Sequence, residues 1–414
     1  MIHRFFQDTQ KGKVSAKRRI RKNQILRILR DHEILSYTGI ARKTKFSLPM
    51  VSELAKELLE EEYILPAQPG ESRVGRPPTA VRLNPEAAYV LGIDLGRTYV
   101  NFVLINLHED IVLTLSLPTG DIEDQPHVIK TMDTGIEQVV MESRIPAEKL
   151  LGIGVAIPGL VNHETGYSFT YLSENKQPVQ RLLQEHFGHY VAIDNDVNAM
   201  ALGEMRFGKA KDTQHAICIN LGWGIGAGFI LNGELYRGNS GFAGEFGHII
   251  VKEDGDLCTC GKRGCLETVA SGRAVSRMAR AKLEGGAPSQ LNKVLRGKID
   301  QIDPESIIKY AQKGDQFSID MIRNEAEYIG KGLSILINLL NPEIIILGGR
   351  GSEAREIILH PIQSSIQRYA HVNLQKEVKI VCSDLGYKAG SLGAASLITR
   401  EIFEPSHLNP NNYV

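Results

Sequence analysis

Cysteine is scarce in this 414-residue sequence: five residues are too few for a disulfide scaffold. Long apolar runs are missing as well. None approaches the roughly 18 residues of a membrane span, so no membrane role is expected. The first residues, MIHRFFQDTQKGKVSAKRRIRKNQ, lack the apolar stretch of a secretory signal, and the expectation is a cytoplasmic protein. Net charge is zero. Hydrophobic residues at 42% and charged residues at 23% are ordinary for a globular chain and exclude disorder as its main state. At roughly 150 residues per domain, the length predicts two or three domains.

The zero net charge hides a polarity. Residues 1–82 carry 17 Lys/Arg against 9 Asp/Glu, whereas the remaining 332 residues carry 31 against 39. A basic head on an acidic body suits a small nucleic-acid module joined to a body with a different ligand; a solvated basic arm would give the same balance.

Within the head, Arg18 to about Asp31 carries Ile20, Ile25, Leu26, Ile28 and Leu29 at roughly helical spacing. Ser36 is placed to cap a short helix containing Ile40 and Ala41. After a break at Thr44-Lys45-Phe46, Ser47 is placed to cap a longer helix with Pro49 in its first turn. Val51, Leu54, Leu58 and Leu59 give that helix one apolar face. Residues 63–83 read as a hairpin containing VGRPP. The pattern predicts a winged helix-turn-helix with its linker over residues 1–82.

Beyond Pro85 the texture becomes strand-like: YVLGIDLG, YVNFVLINL, IVLTLSL, LLGIGVAIPG and YVAIDND, with a helix near 126–142. A second cluster starts at His215, helices dominate from about Leu266 to Leu340, and EIIILGG and VKIVCSD are later strands. VLGIDLGRTYVNFVLI (90–105) aligns without gaps on AICINLGWGIGAGFIL (216–231), pairing Asp94 with Asn220 and Gly96 with Gly222. The echo predicts two similar α/β lobes facing a cleft within residues 83–414.

Three of the five cysteines crowd into eight residues. His248, Cys258, Cys260 and Cys265 give H-x9-C-x-C-x4-C, a donor set that suits a tetrahedral Zn2+ with a closed, structural role. Cys218 and Cys382 stand alone in apolar strands and read as core. Glu245 lies three residues before His248, and Glu267 two after Cys265, so the metal loop would hold both glutamates. With Asn195 and Asp196 after the strand VAI, they make a set of acceptors for adjacent sugar hydroxyls. Taken singly, each has a structural reading: Asp196 as a helix cap, Glu245 as a solvated charge, Glu267 in a first helical turn.

These motifs together resemble the ROK family, which groups sugar-responsive repressors with sugar kinases. The carrying segments are IDLGRT (93–98), AIPGLV (156–161), DNDVNAMALGE (194–204), NLGWGIGAGF (220–229), GFAGEFGH (241–248), CTCGKRGCLE (258–267) and NPEIIILGG (341–349). The head and VGRPP resemble the repressor branch with its xylose-repressor-like and N-acetylglucosamine-repressor-like members, the former most closely. The resemblance implies an α/β fold: a winged helix-turn-helix, then an actin-like, ribonuclease-H-like pair of lobes with a zinc loop. It implies that Asn195, Asp196, Glu245, His248 and Glu267 line a sugar pocket with Gly159 on its loop, and that Asp196 matches the kinase branch's catalytic base.

Departures from the kinase pattern fall in the nucleotide loops. Arg97 replaces the second glycine of the first phosphate loop, Trp223 replaces Thr in the second, and Arg350 stands where kinases tend to have glycine. Close backbone approach to phosphate needs a residue without a Cβ. The expectation is therefore a regulator without catalysis, in which Asp196 accepts a hydrogen bond. An ATP-dependent sugar kinase with an appended head is the alternative, and a regulator governed by a protein partner a third. YSFTYLSENKQPVQ (167–180) departs from the kinase segment as well and leaves the sugar unnamed.

For double-stranded DNA, Ser47, Leu48, Met50, Ser52 and Glu53 are candidate base-edge contacts. Arg42, Lys43, Lys45 and Lys56 are candidate phosphate contacts, and Arg73 and Arg76 candidate minor-groove contacts. A homodimer or homotetramer on a palindromic operator is expected, with a small sugar as effector. Lys45 sits where such turns often have glycine; a left-handed Lys there would cost ~1 kcal/mol.

Overall fold

The computed structural model describes residues 13–67, 79–173, 177–295 and 298–403. It opens with helix α1 (Lys13–Arg30), which buries Ile25, Leu26 and Leu29. Strand β1 (Leu35–Ser36) leads into α2 (Tyr37–Thr44); the Ser36 hydroxyl accepts from Gly39 N at 3.1 Å, satisfying one of the helix's free N–H groups. Lys45 ends α2 in the left-handed region, at φ 60° and ψ 23°.

Helix α3 (Leu48–Glu60) buries Val51, Leu54, Ala55 and Leu58, while Leu59 is only half-buried. Ser47 holds the cap position with extended backbone, but its hydroxyl makes no cap bond. That differs from the cap expected: Pro49 removes the second helical N–H, and the Ser47 hydroxyl does not take the third, whereas Asp124 bonds His127 N past Pro126 in the same arrangement. Strands β2 (Ile64–Ala67) and β3 (Ala80–Leu83) pair antiparallel, and β1 joins the far side of β3. Arg73 and Arg76, between β2 and β3, lie outside the described residues.

The remaining elements, in order, are β4 (Tyr89–Leu95), β5 (Tyr99–Asn106), β6 (Ile111–Pro118), α4 (Gln125–Ser143), β7 (Leu150–Ile157), the short β8 (Val161–Asn162) and β9 (Tyr167–Ser168), α5 (Val179–Phe187), β10 (Tyr190–Asn195) and α6 (Asp196–Phe207). Then come β11 (Ala216–Leu221), β12 (Ile225–Leu231), β13 (Glu234–Tyr236), α7 (Glu267–Ala270), α8 (Gly272–Glu284), α9 (Gln290–Leu295), α10 (Pro304–Gln312) and α11 (Gln316–Leu340). The chain closes with β14 (Ile344–Gly348), α12 (Glu356–Tyr369), α13 (Leu374–Glu377), β15 (Lys379–Cys382) and α14 (Lys388–Phe403).

The chain divides into two compact units. Unit 1 holds Met1–Ile157, Thr165–Asp194 and Ala394–Val414; unit 2 holds Pro158–Glu164 and Asn195–Gly393. The sheet of unit 1 has the order β10-β7-β4-β5-β6, and that of unit 2 the order β13-β12-β11-β14-β15. Read from opposite ends, these orders are the same. In each sheet the first strand pairs antiparallel with the second and parallel with the fourth. The repeat 90–105/216–231 is the opening hairpin of each. Strands with both faces covered read as unbroken apolar runs, and all eight residues of β7 and all five of β14 are buried. No helix among the described residues is long and apolar enough to cross a membrane.

Candidate functional site

Gly159, Asn195, Asp196, Glu245, His248 and Glu267 all fall in unit 2. β10 ends at Asn195, which caps α6: its Oδ1 accepts from the Val197 and Asn198 N–H groups at 2.9 and 3.1 Å. The same side chain donates through Nδ2 to the Gly159 carbonyl at 2.9 Å and to Asp196 Oδ1 at 2.8 Å. Asn195 thus ties the Gly159 loop to the first turn of α6. Asn220, at the end of β11, donates to Asp196 Oδ2 at 3.3 Å. Burial nonetheless outweighs these donors, and Glu245 adds repulsion, so the Asp196 pKa is pushed up to about 6. Asn220 had figured in the sequence only as the counterpart of Asp94; the repeat pointed to the position without revealing the contact.

Glu245 precedes a single 3-10 turn, Phe246–His248. Gly244 makes that approach possible: its φ is 100°, and a Cβ there would stand 1.8 Å from the Ala227 carbonyl oxygen. Burial raises the Glu245 pKa and Glu267 raises it further, while His248 opposes. The His248 ring faces two ways. Nε2 lies 3.5 Å from Glu245 Oε2, and Nδ1 lies 3.5 Å from Cys258 Sγ. Glu267 heads α7; its Oε1 pairs with Arg273 at 3.4 Å, an aid the sequence had not suggested, and its Oε2 lies against Gly224.

The metal loop is folded by its own backbone. Val251 and Lys252 donate to Gly264 O at 2.9 and 3.3 Å, Cys258 N to Lys262 O at 2.7 Å, and Leu266 N to Ile249 O at 2.9 Å. Gly264, at φ 77°, would put a Cβ 1.8 Å from Lys252 O, so only glycine fits. The ligand atoms of His248, Cys258, Cys260 and Cys265 lie within 4.8 Å of one another. Cys258 and Cys265 are buried and Cys260 is exposed. Three sulfurs and one imidazole nitrogen at this spacing can hold a metal ion.

The loop after β11 is pinned to α8: Gly272 N donates to Gly222 O at 3.0 Å and Arg273 N to Trp223 O at 3.2 Å. Trp223 is 38% exposed. Arg350, at the end of β14, pairs with Glu305 of α10 at 3.3 Å. Arg97 is exposed in the β4–β5 turn of unit 1.

On the head, Arg42, Lys43, Lys45, Ser47, Leu48, Ser52, Glu53 and Lys56 are exposed, and Met50 is half-buried. Glu53 lies 2.5 Å from Arg18 of α1, and Lys56 3.9 Å from Glu60. Arg18 also pairs with Glu57, and Lys22 with Glu57 and Glu61.

Two repeated five-stranded units, one carrying a carboxylate cluster beside a Cys3His loop, define the class. The ROK family model matches residues 90–401, and the chain belongs to the ROK family. It is 30% identical to a xylose repressor of Caldicellulosiruptor bescii over 387 residues, 93% of this chain and 96% of that one. A ROK family transcriptional regulator, a homologue of the Escherichia coli MLC protein, superposes with a TM-score of 0.76 at 28% identity, covering 94% of this chain and 97% of that one. A ROK family glucokinase from Streptomyces griseus, solved with glucose and AMPPNP, gives a TM-score of 0.66 at 31% identity, covering 75% of this chain and 99% of that one.

Proposed function

We propose that the chain is a sugar-responsive transcriptional repressor of sugar-utilisation genes, acting in the cytoplasm. The observation that carries this is the extent of the likeness: the repressor matches 93% of the chain, the glucokinase structure 75% although almost all of that kinase is used. The family model begins at residue 90, and the described residues before it form three helices and a small sheet. Residues 1–82 are the DNA-binding head and its linker, and residues 83–414 the sensor. α3 enters the major groove with Ser47, Leu48, Met50, Ser52 and Glu53 near base edges; Arg42, Lys43, Lys45 and Lys56 meet phosphates, and Arg73 and Arg76 the minor groove. A homodimer or homotetramer reads a palindromic operator.

The effector is a monosaccharide held by Asn195, Asp196, Glu245, His248 and Glu267, with Gly159 on the bordering loop. At pH 7 Asp196 is mostly ionised and accepts from sugar hydroxyls, and Glu245 and Glu267 offer further acceptor oxygens. His248, Cys258, Cys260 and Cys265 would hold one Zn2+ per chain; bound there, it supplies fixed positive charge that orients the His248 ring. With Nδ1 toward the cysteines, His248 keeps Nε2–H for Glu245, so the loop sets that carboxylate's direction. Trp223 and Arg350, the latter paired with Glu305, stand where the kinase pattern has smaller residues, which supports a sensor without catalysis. Asp196 then serves recognition, not proton transfer. A sugar preferring the DNA-released state ~100-fold shifts that equilibrium by about 2.7 kcal/mol per site.

The test is fluorescence anisotropy of the full chain on duplexes it selects from a random pool, with a coupled ADP assay on pentoses and hexoses beside it. Selected duplexes are expected to bear inverted repeats and to lose affinity when the effector sugar is added. Sugar-dependent ADP release at enzymatic rates without duplex binding would favour the kinase reading.

A further inference from the structure

Helix α14 starts in unit 2 and ends in unit 1. Its sixteen residues span about 24 Å. In unit 2 its first turns lie backbone to backbone on α6. A Cβ on Gly203 would stand 2.2 Å from Ala389 O, and one on Gly393 1.6 Å from Ala199 O. α6 is the helix that Asn195 caps and Asp196 opens. No side-chain layer separates the two helices at this crossing, so a shift of α6 passes directly into α14. Within unit 1 the contact is equally close: a Cβ on Gly154 of β7 would stand 1.8 Å from Ala394 O.

At the far end of α14, the Phe403 ring meets the head. The Arg30 guanidinium, closing α1, lies 4.6 Å from the centre of that ring. Arg30 Nη1 is also 3.8 Å from Glu109 Oε1 in the β5–β6 turn. The Arg30 and Glu109 side chains are 6% and 7% exposed, and Phe403 is 2% exposed. A planar cation stacked on a buried ring and paired with a buried carboxylate fixes position and direction together, which lysine cannot do.

We propose that α14 carries the state of the Asp196 cluster to the DNA-reading head, and that Arg30 is the positioning residue that couples the head to it. This rests on the reading of the chain as a DNA-binding sugar sensor. The coupling is reciprocal: duplex bound at the head alters the start of α6, where Asn195 holds the Val197 and Asn198 N–H groups.

The test is hydrogen exchange in peptides covering Val197 and Asn198, in the full chain, with and without a duplex selected by the wild-type protein. The variants are Arg30→Lys and the double change Arg30→Met/Glu109→Gln, which leaves no buried charge unpaired. In the wild type, duplex binding is expected to change exchange there by about fivefold or more. The double variant still binds the duplex but loses that response, and Arg30→Lys keeps part of it. A wild type that binds duplex with no change at α6, or a double variant that responds as the wild type does, overturns the proposal. A wild type that binds no duplex at all overturns the DNA-reading function beneath it, a result distinct from either.

Discussion

The Asp196 carboxyl is held at a cost that can be measured. Its pKa stands at about 6 in the fold against 3.8 for the free side chain, a difference worth about 3 kcal/mol. The folded value is the higher one, so the fold favours the protonated form. The contribution to stability is complete below the unfolded value near pH 4 and is lost as pH rises through about 6. Asp196→Asn removes the titration. Its amide faces the Asn195 and Asn220 donors less well, but that penalty does not vary with pH. The stability difference, variant minus wild type, is therefore expected to move in the variant's favour by about 1 kcal/mol between pH 5 and pH 8, somewhat under half the full span. Trp223 is the chain's single tryptophan and lies in unit 2 with Asp196, so urea unfolding followed by its fluorescence reports on that unit. Parallel curves for the two proteins over that pH range would refute the reasoning, because the carboxyl would then be hydrated.

Two further substitutions probe the site's supports. Cys260→Ser is expected to strip the metal, measured by elemental analysis, and to weaken sugar affinity by roughly 10-fold to 100-fold through the released His248 ring. Unchanged affinity in the metal-free variant would cut the link between loop and pocket. Gly244→Ala drives a Cβ to 1.8 Å from Ala227 O at a φ of 100° and is expected to cost about 3 kcal/mol or more, read as a lowered unfolding midpoint.

Much of the architecture was legible because its physical causes are local. Buried parallel strands announce themselves as apolar runs, as β7 and β14 do. The repeat at 90–105 and 216–231 was visible because the opening hairpin of both sheets demands the same strand, glycine turn and strand. Ser36 capped its helix as expected. Ser47 holds its cap position without the bond, a detail of side-chain hydrogen bonding that the sequence pattern does not encode. The metal loop was readable since its four donors are close in sequence. What connects distant positions was not. Asn220 reaches Asp196 over 24 residues, and Arg30, Glu109 and Phe403 meet across most of the chain; no periodicity encodes such meetings. Nor did spacing alone show that Gly203 and Gly393 face one another's helices, since a glycine needed for close approach looks like any other until the neighbour is known.

One titration tests the central claim most directly: full-length protein on a labelled, self-selected duplex, with D-xylose or D-glucose added in the presence of ATP and ADP release recorded in the same sample. The account predicts salt-sensitive duplex binding that at least one of these sugars, or another monosaccharide in the same assay, reverses while ADP stays at background. Sugar-dependent ADP release by a protein indifferent to DNA would contradict it.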